Sequence, residues 1–292
     1  MTAGIVFGLL AALFQGFSYI FMRKSLAEFP ASMSFFMNAI TGFLIWIPFA
    51  LFTNGVFADV PRVFPYALLS AILSEALVFY ALAKGDTIIT GVLFATYPLF
   101  TILFALLFLQ ENLFIFAWPA LILVIIGTII VSAPSKKEWR ENKLLHWKFH
   151  LIAWPLFAAT AVGLSDVIGK HTVDQTSAGT FLIALALAEI PVSIIFLKLQ
   201  KQKVSQLKTF FVNYKVYKYA FLSGLLGTLT IIALWLAFEA LPASVASPLT
   251  ALSPIFVFVL GIFFLKEKIS LKNTFGLLVV ISGVLILSLF GF

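Results

Sequence analysis

Uncharged apolar stretches of one recurring length punctuate the chain, among them Gly4 to Met22, Thr87 to Gln110, Tyr219 to Phe238 and Asn273 to Phe292. A helix needs about 20 such residues to cross the hydrocarbon core of a bilayer. Of the 292 residues, 62% are hydrophobic and 11% charged, against roughly 45–50% and 25% in ordinary soluble domains. Folding in water cannot hide that much apolar surface, so lipid is the expected solvent. The first stretch lacks the basic lead and the small-residue cleavage site of a signal peptide and reads as a retained helix. With no cysteine, disulfides, thiolate catalysis and thiol-metal sites fall away. The net charge of +7 sits in short loops between apolar segments, which fits a membrane's cytoplasmic face better than nucleic acid.

Charges, Pro/Gly clusters and polar turns divide the chain into helices near 3–22, 31–52, 63–83, 87–109 and 113–133, then 150–169, 177–197, 217–238, 242–265 and 272–290. The expected organisation is a five-helix repeat over 1–133, a basic linker over 134–149 and a second five-helix repeat over 150–292. Pro98, Glu111 and Gly127 recur as Pro254, Glu267 and Gly283 at an offset of 156, with 14 identities in the 52 positions from Ala81 to Ser132. Shared apolar composition does not explain a Pro, a Glu and a Gly in register. An odd number of helices per repeat inverts the second half, so the fold class expected is all-α integral membrane, ten transmembrane helices as two inverted five-helix repeats. In folds of that kind the solute site lies near the midplane between the repeats, and access alternates as one bundle rocks against the other.

Leu236-Ala237-Phe238-Glu239-Ala240-Leu241-Pro242-Ala243-Ser244, Leu252-Ser253-Pro254, Phe264-Leu265-Lys266-Glu267-Lys268 and Gly283 resemble the second repeat of EamA-type carriers in the drug/metabolite transporter superfamily. The first repeat resembles the family through Gly16, Tyr97-Pro98-Leu99-Phe100, Leu109-Gln110-Glu111 and Gly127; where members often carry Trp-Gly in helix 1, this chain has Gln15-Gly16. The resemblance implies a ten-helix carrier of metabolites such as amino acids, amines, sugars or nucleotide derivatives.

Glu75 in helix 3 and Glu189 in helix 7 fall well inside predicted spans, with Asp166 nearer the end of helix 6. An acidic group there is costly and usually faces a bundle interior, a partner or water. Glu75 is expected to meet a cationic group of the solute or to take up a proton; helix packing is the competing reading. Tyr19, Tyr80, Tyr97 and Trp235 add aromatic faces with polar handles, suited to a cation or to interface anchoring. Pro98, Pro248 and Pro254 interrupt helices 4 and 9, as hinges or as structural kinks that free backbone groups. Glu111 and Glu267 read as carboxylates favoured by the N-terminal dipole of the helix that follows each. Gly91, Ala95, Ser244, Ser247 and Ser253 read as close-contact positions. His146 with His150, and His171 with Asp174, have ligand-like spacing but no third ligand, so neither a metal nor a cofactor is expected.

The function expected is a secondary transporter, not an enzyme, moving a small organic metabolite by alternating access: an amine, amino acid or other zwitterion, with an anionic or neutral solute as the alternative. A channel or an intramembrane lipid-modifying enzyme is disfavoured, because no filter-like segment and no G-x-S-x-G or H-E-x-x-H pattern is present. Expected partners are the solute, the lipid bilayer and protons as coupling ion, with the chain a monomer or homodimer in the cell membrane. Loops after odd-numbered helices, with their flanks, hold 17 of the 19 basic residues, leaving Arg62 and Lys170 on the other side. Basic loops stay in the cytoplasm, so both termini are expected on the non-cytoplasmic face.

Overall fold

The computed structural model describes residues 2–26, 29–84, 96–115, 117–132, 149–202, 214–257, 259 and 271–290. Most of the linker, Gly91, Ala95, His146 and Glu267 lie outside the described residues. Lipid offers no partner to a free N–H or C=O, so apolar spans satisfy their backbone internally as helices. Ten helical elements follow one another among the described residues, with no strand: α1 Thr2–Leu26, α2 Ala31–Leu51, α3 over 60–84, α4 Tyr97–Leu109, α5 Ala117–Ser132, α6 Phe149–Gln175, α7 Ala178–Leu199, α8 Tyr214–Ala240, α9 Ala243–Val257 and α10 Leu271–Phe290. Among the described residues, five stretches are long and apolar enough to cross a membrane, Thr2–Leu26, Ala31–Leu51, Phe57–Ala81, Ala178–Leu199 and Tyr217–Ala240, and shorter apolar helices accompany them.

Two helices outrun their expected ends. Helix α1 continues past Met22 to Leu26 and carries Lys24, whose Nζ lies 4.9 Å from the Tyr219 ring centre. Helix α6 continues past residue 169 to Gln175, and Lys170 bonds Asp174 one turn on at 2.6 Å. Long basic side chains reach the headgroup region from a helix end, so a charge need not terminate a membrane helix. The same extension sets His171 beside Gln175, 2.8 Å away, which pairs both members of the His171–Asp174 spacing with other groups.

The two halves pack in matching register. A Cβ on Gly127 of α5 would fall 2.8 Å from the Gly276 carbonyl and 2.5 Å from Val280 of α10, whereas one on Gly283 of α10 would fall 2.7 Å from the Ala120 carbonyl and 2.9 Å from Val124 of α5. Residues 276 and 280 are 120 and 124 advanced by 156. Gly16 of α1 likewise meets Phe256 and Val257 of α9, while Gly163 of α6 meets Phe100 and Thr101 of α4, again 156 apart. Each repeat thus presses its first helix on the fourth of the other, and the two fifth helices close on one another through their glycines.

Helix α4 starts, and helix α9 is broken, at equivalent points. The N–H of Leu99 bonds the Thr96 carbonyl at 3.0 Å just where Pro98 enters α4, and the N–H of Ile255 bonds the Leu252 carbonyl at 2.9 Å around Pro254. In α9 a turn at Ala251–Leu252 separates Ala243–Thr250, which contains Pro248, from the helical residues 253–257.

On the face that carries both termini the connections are tight. Ser177 caps α7 by accepting from the Thr180 N–H at 3.1 Å and donates to the Asn54 carbonyl; the Val56 N–H reaches Thr180 Oγ1 at 3.0 Å. The α8–α9 turn packs on α1, where a Cβ at Gly4 would fall 2.6 Å from Leu241.

Candidate functional site

A cavity of about 130 Å³ lies between the halves, close to the size that admits a benzene-sized molecule. Residues of α1, α3, α4, α6, α8 and α9 line it, and α2 and α7 contribute Asn38, Trp46, Leu185 and Glu189. Glu75, Asp166 and Glu189 all reach this wall, and among the described residues no Lys, Arg or His does.

The three acids arrive by different local routes. In α3 the ladder loosens into a π-helical turn, Ala71–Ala76, which contains Ser74 and Glu75; such turns insert one extra residue and recur at functional positions. Glu75 is half-buried, whereas Glu189 is 2% and Asp166 5% exposed, so Glu75 is the most accessible of them. Glu189 of α7 sits within electrostatic reach of Glu75. Asp166 is set by two hydroxyls: Thr101 Oγ1 of α4 and Ser247 Oγ of α9 each donate to Oδ2 at 2.8 Å, and they lie 3.0 Å from one another. These bonds bring α4, α6 and α9 together beside the start of α4 and the break in α9.

Tyr97 donates to the Ser247 carbonyl at 3.4 Å, and both Tyr97 and Tyr19 line the cavity. Trp235 lines the cavity with its ring held edge-on by Phe181 and Phe238, at centroid separations of 4.6 and 5.1 Å. Tyr80 is absent from the lining; its ring meets Trp154 edge-on at 4.9 Å. Pro98 sits in the first turn of α4, and Pro248 and Pro254 belong to the interrupted helix α9.

The lining contains residues that sequence reasoning passed over. Gln15 and Asn38 are amides inside apolar spans, a signal that a search for acids and aromatic rings does not register. Ser18 donates to the Ser223 carbonyl at 2.9 Å, and Trp46 Nε1 to that of Thr228 at 3.0 Å, so these tie α1 and α2 to α8. Ser247 is more than a close-contact position, because its hydroxyl holds Asp166.

The repeat explains the cavity's shape but not its chemistry. Ser74, Glu75, Val78 and Phe79 correspond at the offset of 156 to Thr230, Ile231, Leu234 and Trp235, and all eight line it. The backbone is nearly two-fold there, yet Glu75 has Ile231 as its counterpart and Phe79 has Trp235. Acid groups and donors are therefore distributed unequally around a symmetric frame.

Glu111 departs from its expected role. Helix α4 ends in a π turn at Leu109, and Gln110, left-handed at φ 52°, redirects the chain. The Glu111 carboxylate then accepts from the N–H groups of Ala243 and Ser244 at 2.7 and 3.0 Å and from the Ser244 hydroxyl. It caps α9, in the other repeat, and not the helix that follows it. The free N–H groups of any helix start attract a carboxylate, and in this fold the reachable start belongs to the opposite half.

Known proteins resemble this chain in sequence and in fold. An uncharacterized transporter of Archaeoglobus fulgidus is 24% identical over 293 residues, covering 98% of each chain, and an uncharacterized protein of Methanocaldococcus jannaschii is 30% identical over 135 residues, 45% of this chain and 98% of that one. A solved crystal structure superposes on 100% of this chain and 98% of its own with a TM-score of 0.80 at 12% identity, a likeness of fold alone. The model of the EamA-like transporter family matches residues 2–133 and again 150–289. With both halves matched and the inverted ten-helix frame around a cavity between them, the chain belongs to the EamA-like transporter family of the drug/metabolite transporter superfamily, membrane carriers of small solutes.

Proposed function

We propose that the cavity binds a small metabolite through an ammonium group and carries it across the membrane by alternating access. One observation carries this reading: three carboxyl side chains line a single cavity to which no described cationic side chain contributes. Charges in a membrane interior pair or face water, and a cationic solute supplies the missing partner. The rings of Tyr19, Tyr97 and Trp235 supplement it, each good cation–π contact being worth about 0.5–2 kcal/mol. An anionic or neutral solute is less well supported, since three carboxyls would surround it. Helices α4 and α9 are the natural moving parts, with Pro98 at the start of one and Pro254 just past the break in the other, next to the Asp166 hub.

The test is a thermal-shift panel on purified protein with primary amines, amino acids, dicarboxylates and sugars. A ligand at 100 times its dissociation constant stabilises by about 2.7 kcal/mol. Amine-bearing compounds are expected to raise the melting temperature and to show saturable uptake in proteoliposomes. Stabilisation confined to dicarboxylates or sugars would refute the reading.

A further inference from the structure

Two indoles line the cavity, and they differ in what their N–H does. Trp46 gives its proton to the Thr228 carbonyl at 3.0 Å. Trp235 is 3% exposed, and its Nε1 meets no acceptor among the described atoms. A buried donor without a partner loses its hydration and gains nothing in return, so a retained one calls for a reason.

Packing does not supply that reason. The equivalent position of the first repeat is Phe79, also lining the cavity, 2% exposed and stacked on Phe35 at 5.4 Å. Phenylalanine therefore fills the same station in the same frame. Around Trp235 the fit is close: a Cβ at Gly169 would fall 2.1 Å from the far end of the six-membered ring, and Phe181 and Phe238 hold the indole edge-on. What tryptophan adds to a phenylalanine here is the N–H, fixed in place by its surroundings. Gly169 lies three residues beyond Asp166 on α6, about 4.5 Å along the helix, so the indole packs on α6 roughly one turn from the residue that carries the carboxylate, and both line the cavity.

We propose that Trp235 Nε1–H is a specificity-determining donor, received by an oxygen that the solute carries near its ammonium group. The proposal rests on the amine reading above. The oxygen belongs to a carboxylate or to a hydroxyl, and a matched set of probes separates these: for each of several short alkyl skeletons, the plain amine, the amino alcohol and the amino acid. Affinities for the native-sequence protein and for Trp235→Phe are compared as ratios within each set. The ratio favouring the oxygen-bearing probe over its plain amine is expected to fall about tenfold or more, as loss of a hydrogen bond worth one order of magnitude requires. A larger fall for the amino acid assigns the oxygen to a carboxylate; equal falls assign it to a neutral acceptor.

An unchanged ratio overturns the proposal, including the case in which all three probes weaken together through lost ring contact. If no probe set binds the native-sequence protein, the amine reading itself fails, which is a different result. A second readout needs no variant: of the six indole N–H signals in a 15N–1H spectrum, one is expected to move downfield with the oxygen-bearing probe and not with the plain amine. Six signals that respond alike to both probes would also overturn it.

Discussion

Glu75 and Glu189 illustrate how unequally the repeat treats single residues. Glu75 corresponds to Ile231 at the offset of 156, and the α1–α6 match of Gly16 with Gly163, an offset of 147, sets Tyr19 opposite Asp166 and Gly42 opposite Glu189. Removing one acid should therefore disable the site without unsettling the frame. Glu75→Gln is expected to lower transport at least tenfold while the melting temperature stays within a few degrees, measured on the same preparation by uptake and by thermal unfolding. Native transport kinetics in this variant would assign Glu75 to helix packing. Truncating Trp235 to alanine should weaken solute binding more than truncating Trp118, which is 41% exposed on α5. Much of this scale was legible beforehand, because an acid inside an apolar span announces itself. The hydroxyls around Asp166 were not, since Thr101 and Ser247 are 146 residues apart and ordinary in composition.

At the scale of elements, the Pro, Glu and Gly in register point to real junctions: a helix start and a helix break, a cap and a glycine contact. Their partners were illegible. The cap joins Glu111 to residues 132 and 133 positions away, and the π turn around Glu75 has no sequence signature. The cap predicts a mechanical consequence. Glu111→Gln should cost about 1–2 kcal/mol, the range for losing a helix cap and its dipole contact, and should loosen the face that carries the termini. Because the chain has no native cysteine, a single cysteine at Thr250 of the cavity wall reports this directly. An impermeant maleimide added on that face should react several-fold faster in the Glu111→Gln background; an unaltered rate would assign the bond to stability alone. Gly127→Val and Gly283→Val should each cost about 1–3 kcal/mol through overpacking of α5 on α10, read as comparable falls in melting temperature. At Gly227, where a Cβ would come no nearer than 3.5 Å to its neighbours, alanine should be tolerated.

The whole molecule combines a symmetric frame, tight connections on the face of the termini and an acidic cavity between the halves. The frame was legible from residue spacing, because inversion follows from five helices per repeat. The extents of α1 and α6 were not, since Lys24 is exposed at the end of α1 and the charge of Lys170 is paired by Asp174 one turn on, so neither stops its helix. Orientation is a separate proposal: with 17 of 19 basic residues in loops or flanks on the face opposite the termini, both termini lie outside the cytoplasm. A reporter active only in the cytoplasm, fused after Phe292, should stay silent, and activity there would reverse the assignment. The claim on which the rest depends is that one cavity, lined by Glu75, Asp166 and Glu189, carries an amine from one side to the other. Countertransport tests it most directly, with proteoliposomes loaded with an unlabelled amine identified by the stabilisation panel and the same labelled amine outside. Uptake should saturate, accelerate with amine inside and fall at least tenfold in Glu75→Gln; uptake that rises linearly with concentration, ignores the internal amine and persists in the variant would contradict it.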